Sequence, residues 1–333
     1  MKLRCITGAC LALLWPGVDG WAAAPAPTEA PRQWTFSLRW ENDTFAGADR
    51  FYTDGIALSL SHSGRSWLDP LMDRLPWGEG RRTVSYELGQ IMVTPADTSL
   101  AVPDPNDRPY AGLLFAGLSL HVERDHLYHG LKLITGVVGP WSLAEETQKF
   151  VHDLVDSKQP QGWEYQLRNE PILNLVYEHR RKYALWGESR GFSVEALPIA
   201  NAMLGNVLIQ GQVGAQLRFG YRVPDDFGTT LMRGMVHLPP PRQPREAGSP
   251  RWGVYWFGGG NVNLVARDIT LDGNTWRDSR SVDKEWMVPV AEVGMAFYYR
   301  GVQAAFTYVF WGKEFKGQNN YTEFGALTLS YSF

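Results

Sequence analysis

The chain is poor in cysteine, in long apolar runs and in any excess of one charge, and each shortage closes off a class of protein. Its 333 residues include two cysteines, Cys5 and Cys10, so beyond residue 10 there is no disulfide framework and no thiolate zinc site. No interior stretch approaches the roughly 18 consecutive apolar residues of a membrane-spanning helix, which excludes a helical membrane protein. The 32 basic residues are balanced by 35 acidic ones, and no basic stripe marks a nucleic-acid binder. A hydrophobic fraction of 44% argues against a disordered chain. Mean hydropathy is −0.26, which does not separate a soluble protein from a membrane β-barrel, because alternating strands cancel in any average.

What the sequence does have is alternation. From Trp34 to Glu41 the even positions are apolar and the odd ones polar or charged. Ile56, Leu58 and Leu60 repeat the pattern, and so do Leu327, Leu329, Tyr331 and Phe333 at the far end. A period of two means one face in an apolar phase and the other in a polar one. Strand-like runs fall near 34–41, 52–62, 82–92, 111–123, 127–138, 172–181, 191–200, 207–222, 252–266, 287–300, 302–311 and 322–333. Their even number and lengths predict a transmembrane antiparallel β-barrel of about twelve strands. Abundant aromatics supply interface girdles, and the aromatic Phe333 closing an alternating strand resembles the signal read by the barrel-assembly machinery.

The first 24 residues read as a signal peptide: a basic start at Lys2 and Arg4, an apolar stretch from Cys5 to Trp15, and small residues at Ala22 to Ala24. Residues 25–333 then form a single outer-membrane barrel domain. With both termini on the periplasmic side, the expected outer loops are 42–51, 93–110, 139–171, 201–206, 267–286 and 312–321. Two inner connections are unusually long, 63–81 and the proline-rich 223–250, and the latter reads as a periplasmic linker. Only Ser142 to Asp156 reads as helix, with Ser142 as N-cap and Glu145 as its capping-box partner, so the short helix sits in an extracellular loop.

Three groups of residues could carry chemistry. Asn42 and Asp43 end the first strand, with Asp49 and Asp54 close by; such oxygen ligands suit Ca²⁺, and equally suit a polar turn. Thr53 falls at an odd position, which points its hydroxyl into the lumen. Gln148 and His152 stand four residues apart on the helix and share a face, where a histidine can serve as general base or as an ordinary structural side chain. Asp107 to Tyr110 by itself reads as a charged turn. The barrel changes these odds, because the first, third and fifth connections all emerge at one rim.

The segments Glu41 to Phe45, Phe51 to Gly55 and Asp107 to Gly112, and the series Gly139, Pro140, Gln148, His152 and Trp163, resemble the lipid A 3′-O-deacylase family of outer-membrane enzymes. The resemblance covers most of the chain. It implies a twelve-stranded barrel, lipid A as substrate, and Ca²⁺-dependent hydrolysis of the 3′-linked acyloxyacyl chain. By that resemblance His152, Gln148 and Thr53 are the catalytic positions, and Asn42 and Asp43 help hold the metal. Lys158 stands where the family has an active-site carboxylate, with Asp153 and Asp156 nearby but unmatched; a lysine there can meet lipid A phosphates. Arg39 and Arg108 are further phosphate contacts or ordinary wall charges. The competing classes are a non-enzymatic barrel, either pore or structural, and a phospholipid esterase, for which no suitably flanked serine is visible.

Overall fold

In hydrocarbon no water is available to a strand's backbone, so every N–H and C=O in a membrane-spanning sheet must find a partner in another strand. The computed structural model, which describes residues 32–43, 51–188, 190–233, 235–239 and 252–333, meets that demand by closing a ring. The leader expected at 1–24, with both cysteines, lies outside the described residues. The strands are β1 (Trp34–Asn42), β2 (Phe51–Ser63), β3 (Arg81–Thr94), β4 (Ala111–Arg124), β5 (Leu127–Val138), β6 (Glu170–Arg181) and β7 (Tyr183–Gly187). They continue with β8 (Phe192–Gly205), β9 (Leu208–Tyr221), β10 (Trp252–Asp268), β11 (Met287–Tyr299), β12 (Val302–Trp311) and β13 (Thr322–Ser332).

Strands adjacent in sequence pair antiparallel, except β6 with β7, and β1 pairs with β13 from Thr35↔Ser332 to Asn42↔Gly325. The ring closes where β6 meets β8, from Asn174↔Gly205 to Arg180↔Ile199. The pairing Tyr183↔Ala196 keeps that register beyond Lys182, so β7 continues β6 and the wall has twelve strands. All twelve expected strands are present.

The alternation sorts side chains across this wall. Phe36, Trp40, Ile56, Leu58 and Leu60 are exposed on the membrane-facing side, whereas Arg39, Glu41, Glu87, Lys132, Glu178 and Arg218 are buried in the lumen. Glu87 receives both the Arg39 guanidinium and, at 2.7 Å, the Lys132 ammonium. Arg218 is held between Glu195 and Asp226.

The expected linker at 223–250 is corrected by the structure. Its described part, 223–233 and 235–239, enters the lumen and is bonded to the wall there. Arg180 donates to the Phe227 carbonyl at 2.9 Å, Lys132 to that of Met235 at 3.2 Å and Arg39 to that of Val236 at 3.3 Å. The His237 N–H donates to Glu178 at 2.8 Å. Met232, Met235 and Val236 pack against Ile91, Val93 and Val288 of the wall. The luminal cations therefore serve as donors for an irregular backbone segment that has no sheet of its own to join.

The helices also depart from expectation. Helix α1 (Asp69–Met72) and helix α3 (Ile269–Asp272), the latter capped by the Asp268 side chain, are short turns that the sequence reading did not expect. Helix α2 spans Ala144–Leu154, within the expected range but without its capping box. Ser142 belongs to a 3₁₀ turn (Pro140–Ser142), Leu143 takes the N-cap position at φ 58°, and Glu145 pairs forward with Lys149 at 2.6 Å.

Replacing Glu87 by alanine leaves two buried cations without their shared carboxylate. We expect a loss of about 3 kcal/mol, the scale for breaking a buried ion pair from one side. Urea titration followed by heat-modifiable gel mobility measures it. An unchanged unfolding midpoint would show that the luminal network carries no stability.

Candidate active site on the membrane-facing wall

Near one end of the barrel, cross-strand pairing lines up Asn42, Asp54, Met92 and Gly112 in a single row over β1, β2, β3 and β4. All four stand at positions that face away from the lumen, the side on which Leu88 is exposed. Gly112 is where the helix docks. A Cβ there would lie 2.2 Å from Ser142 Oγ and 2.3 Å from Ala144 Cβ, so only a glycine lets the start of α2 rest on the strand. Gln90 donates to the Ser142 carbonyl at 2.6 Å, and the Gly139 N–H donates to the Gly112 carbonyl at 2.9 Å. Met92, Tyr110, Ala144 and Trp163 close the apolar contact beneath.

With Ala144 against the wall, residues four and eight positions on turn the same way, and Gln148 and His152 are the buried polar residues of α2. The Trp163 indole N–H donates to Gln148 Oε1 at 2.7 Å. Because an indole can only donate, that bond settles the amide's orientation and leaves Nε2 as a buried donor without a protein partner. His152 Nδ1 lies 2.6 Å from the Lys158 carbonyl. A carbonyl can only accept, so Nδ1 carries the hydrogen and the neutral ring offers its lone pair at Nε2. Position 158 thus orients the imidazole through its backbone, while the lysine side chain itself is exposed.

On the neighbouring strands, Asn42 Nδ2 and Trp40 Nε1 both donate to Asp54 Oδ1, at 3.0 and 2.8 Å. Asp43 is buried at the strand end, next to residues 44–50, which lie outside the described ones and include Asp49. The inward direction expected for Thr53 is corrected. The β2–β3 register slips by one residue between Tyr52 and Asp54, so Thr53 is the extra residue of a bulge. Tyr52 takes the luminal place and donates to Glu41 at 2.6 Å, while Thr53 Oγ1 meets Thr94 Oγ1 at 2.7 Å.

Arg39 and Arg108 lie elsewhere. Arg39 is deep in the lumen on Glu87, and Arg108 donates to Glu314 and Thr270, each at 2.9 Å. Burial raises the pKa of the Glu314 carboxyl, in the connection before β13, but Arg233 and Arg108 beside it draw it below the ordinary carboxylate range. Both arginines are thus occupied by carboxylates on the lumen side, away from the α2 face. Trp163 and Gly112 had appeared in the sequence only as parts of motifs; the structure gives one the orientation of Gln148 and the other the seat of the helix. Asp54 had appeared only as a carboxylate close to Asn42 and Asp43, and Thr94 carried no distinguishing signal.

The family model for the outer-membrane protein LpxR matches residues 7–333. The chain belongs to the LpxR family. LpxR from Salmonella typhimurium shares the fold with a TM-score of 0.71 at 20% identity, over 89% of this chain and 99% of that one. The translocator domain of the autotransporter NalP from Neisseria meningitidis is far more distant, with a TM-score of 0.39 and 9% identity over 90% of this chain and 88% of that one. No curated protein sequence matches the chain. Membership agrees with the motif resemblance and with an outer-membrane barrel.

Gly112→Val is expected to lift α2 off the wall while the barrel stays closed. Trypsin should then cut after Lys149 and Lys158 in a protein that keeps its heat-modifiable mobility. Protection of both sites in the variant would refute the docking role of Gly112.

Proposed function

We propose that this LpxR-family protein is a lipid A 3′-O-deacylase whose reaction takes place between α2 and the ends of β1 to β4, at the outer-leaflet rim. The observation that supports the reading best is a buried, unpartnered donor on the same helix face as the ring nitrogen that the His152 tautomer leaves without a hydrogen. Gln148 Nε2 is a buried donor with no partner, and the tautomer of His152 leaves Nε2 as an acceptor one turn away. A buried unpaired donor costs about 1–3 kcal/mol, a cost offset when a substrate or water oxygen arrives. The site opens on the side of the wall that meets lipid, so a lipid ester can approach without entering the lumen. That lumen is occupied by the segment around Met235, which argues against a pore.

In this reading His152 Nε2 removes a proton from a water molecule as its oxygen attacks the ester carbonyl. The Lys158 carbonyl holds the imidazolium that results. On collapse the proton passes to the departing sugar 3′ oxygen, and the acyloxyacyl chain leaves as a free acid. Gln148 Nε2 donates to the attacking water or to the carbonyl oxygen as charge builds on it. Thr53 is tied to Thr94, a hydroxyl that cannot serve as its base, so it positions rather than attacks.

Among the described residues no three His, Cys, Asp or Glu side chains gather to hold a metal. Among the described residues, a cation at the first strand end would meet amide and backbone oxygens beside the buried Asp43 carboxylate, oxygen donors of the kind calcium takes. Asn42 and Asp43 are the residues that would hold it, and when bound it supplies positive charge to stabilise the ester oxygen.

Mass spectrometry of lipid A from cells expressing the protein is expected to show loss of the 3′ acyl chains, prevented by a calcium chelator and abolished in His152→Ala. A folded His152→Ala protein working at full rate would sink the assignment, and unchanged lipid A with released phospholipid acids would favour the esterase. Lys158→Ala should retain most of the activity, since the backbone carbonyl does the orienting. A loss as deep as that of His152→Ala would show that the lysine side chain is needed.

A further inference from the structure

Helix α2 has three faces, and only two are explained by the site. At 100° per residue, Ala144, Gln148 and His152 turn toward the wall, while Glu145, Glu146, Lys149 and Asp153 form a charged face. The remaining arc carries Leu143, Phe150, Val151 and Leu154, with Val155 just beyond the helix. Nothing among the described residues covers it: Phe150 is 69% exposed, Leu154 74% and Val155 63%. A water-facing helix in a folded protein seldom leaves such a stripe uncovered.

The position of the helix identifies what covers it. It rests on Met92 and Gly112, which face away from the lumen near the ends of β3 and β4. On the same side of the wall, further along the strands, Leu88 and Leu133 are also exposed, as part of the barrel's lipid-facing band. The apolar arc of α2 therefore continues an existing membrane interface. Trp141, 72% exposed in the turn that leads into the helix, is the residue type that anchors at the boundary between hydrocarbon and headgroups. A charged face beside an apolar one is the pattern of a helix lying in the plane of that boundary.

We propose that α2 is an interfacial membrane helix, with Phe150, Val151 and Leu154 in the acyl region of the leaflet surrounding this end of the barrel and the charged face among the headgroups. The occupant of the apolar face is leaflet hydrocarbon, not a protein. This sets the depth of the site: the arc bearing Val151 adjoins the one bearing His152 and Gln148, so the face used for chemistry is held at the edge of the hydrocarbon. The inference rests on the barrel's place in the membrane and stands whether or not His152 is a base.

The absence of cysteine after Cys10 makes the test direct. Phe150→Cys, Leu154→Cys and, on the charged face, Glu146→Cys are each labelled with an environment-sensitive fluorophore. The labelled barrels, made in a Cys5→Ser, Cys10→Ser background, are then reconstituted in phosphatidylcholine vesicles containing acyl-chain nitroxide lipids. Labels at 150 and 154 are expected to emit to the blue of the label at 146 and to be quenched about twofold more strongly or better. Because both side chains are largely free of protein contacts, their replacement leaves the packing intact, and heat-modifiable mobility confirms the fold. Equal quenching at all three positions would overturn the proposal. So would quenching at 150 and 154 only by a nitroxide-labelled second copy of the chain, which would make the face a dimer contact.

Discussion

A backbone polar group in hydrocarbon has no solvent to fall back on, and most of this molecule follows from that one constraint. It forces β6 to meet β8 and β13 to meet β1, leaving no free edge within the wall. Closure in turn creates an interior that must be filled, and alternation makes the interior polar. Polar groups shut away from bulk water need partners of their own. Here the partners are one another, as with Glu87, Arg39 and Lys132, and the carbonyls of the inserted segment around Phe227, Met235 and Val236.

The same rigid wall supplies the candidate site. Asn42, Asp54, Met92 and Gly112 are distant in sequence but fall in one row because antiparallel register places them side by side. A helix from the loop after β5 is then laid across the end of that row, held close by the missing side chain of Gly112. Gln148 and His152 are each oriented by a partner whose chemistry allows one answer: an indole that only donates and a carbonyl that only accepts. The donor and the acceptor left over are the groups on which the proposed reaction rests. Lys158 joins the candidate site through its backbone carbonyl, which orients His152.

Much of this is legible in the sequence. Alternation marked the twelve strands, and the spacing of Gln148 and His152 placed them on one helix face. Three features were not legible, each for a physical reason. Residues 223–239 look like a linker, since their carbonyls are satisfied by arginines and lysines that strict alternation shows only as luminal charges without partners. Thr53 counts as inward by parity, but one bulge residue reverses the parity. Ser142 and Glu145 have capping-box spacing, yet Ser142 lies in the turn before the helix and Glu145 pairs with Lys149.

The sequence by itself determined that the chain crosses a membrane with strands, how many there are, and which residue types could do hydrolytic chemistry. Those properties are local, because period and composition are carried by each segment alone. Only the tertiary structure decided on which side of the wall the candidate site lies, what occupies the lumen, and which nitrogen of His152 meets the Lys158 carbonyl. Those depend on register and contact between segments far apart in the chain, and a single inserted residue or a single glycine changes the result.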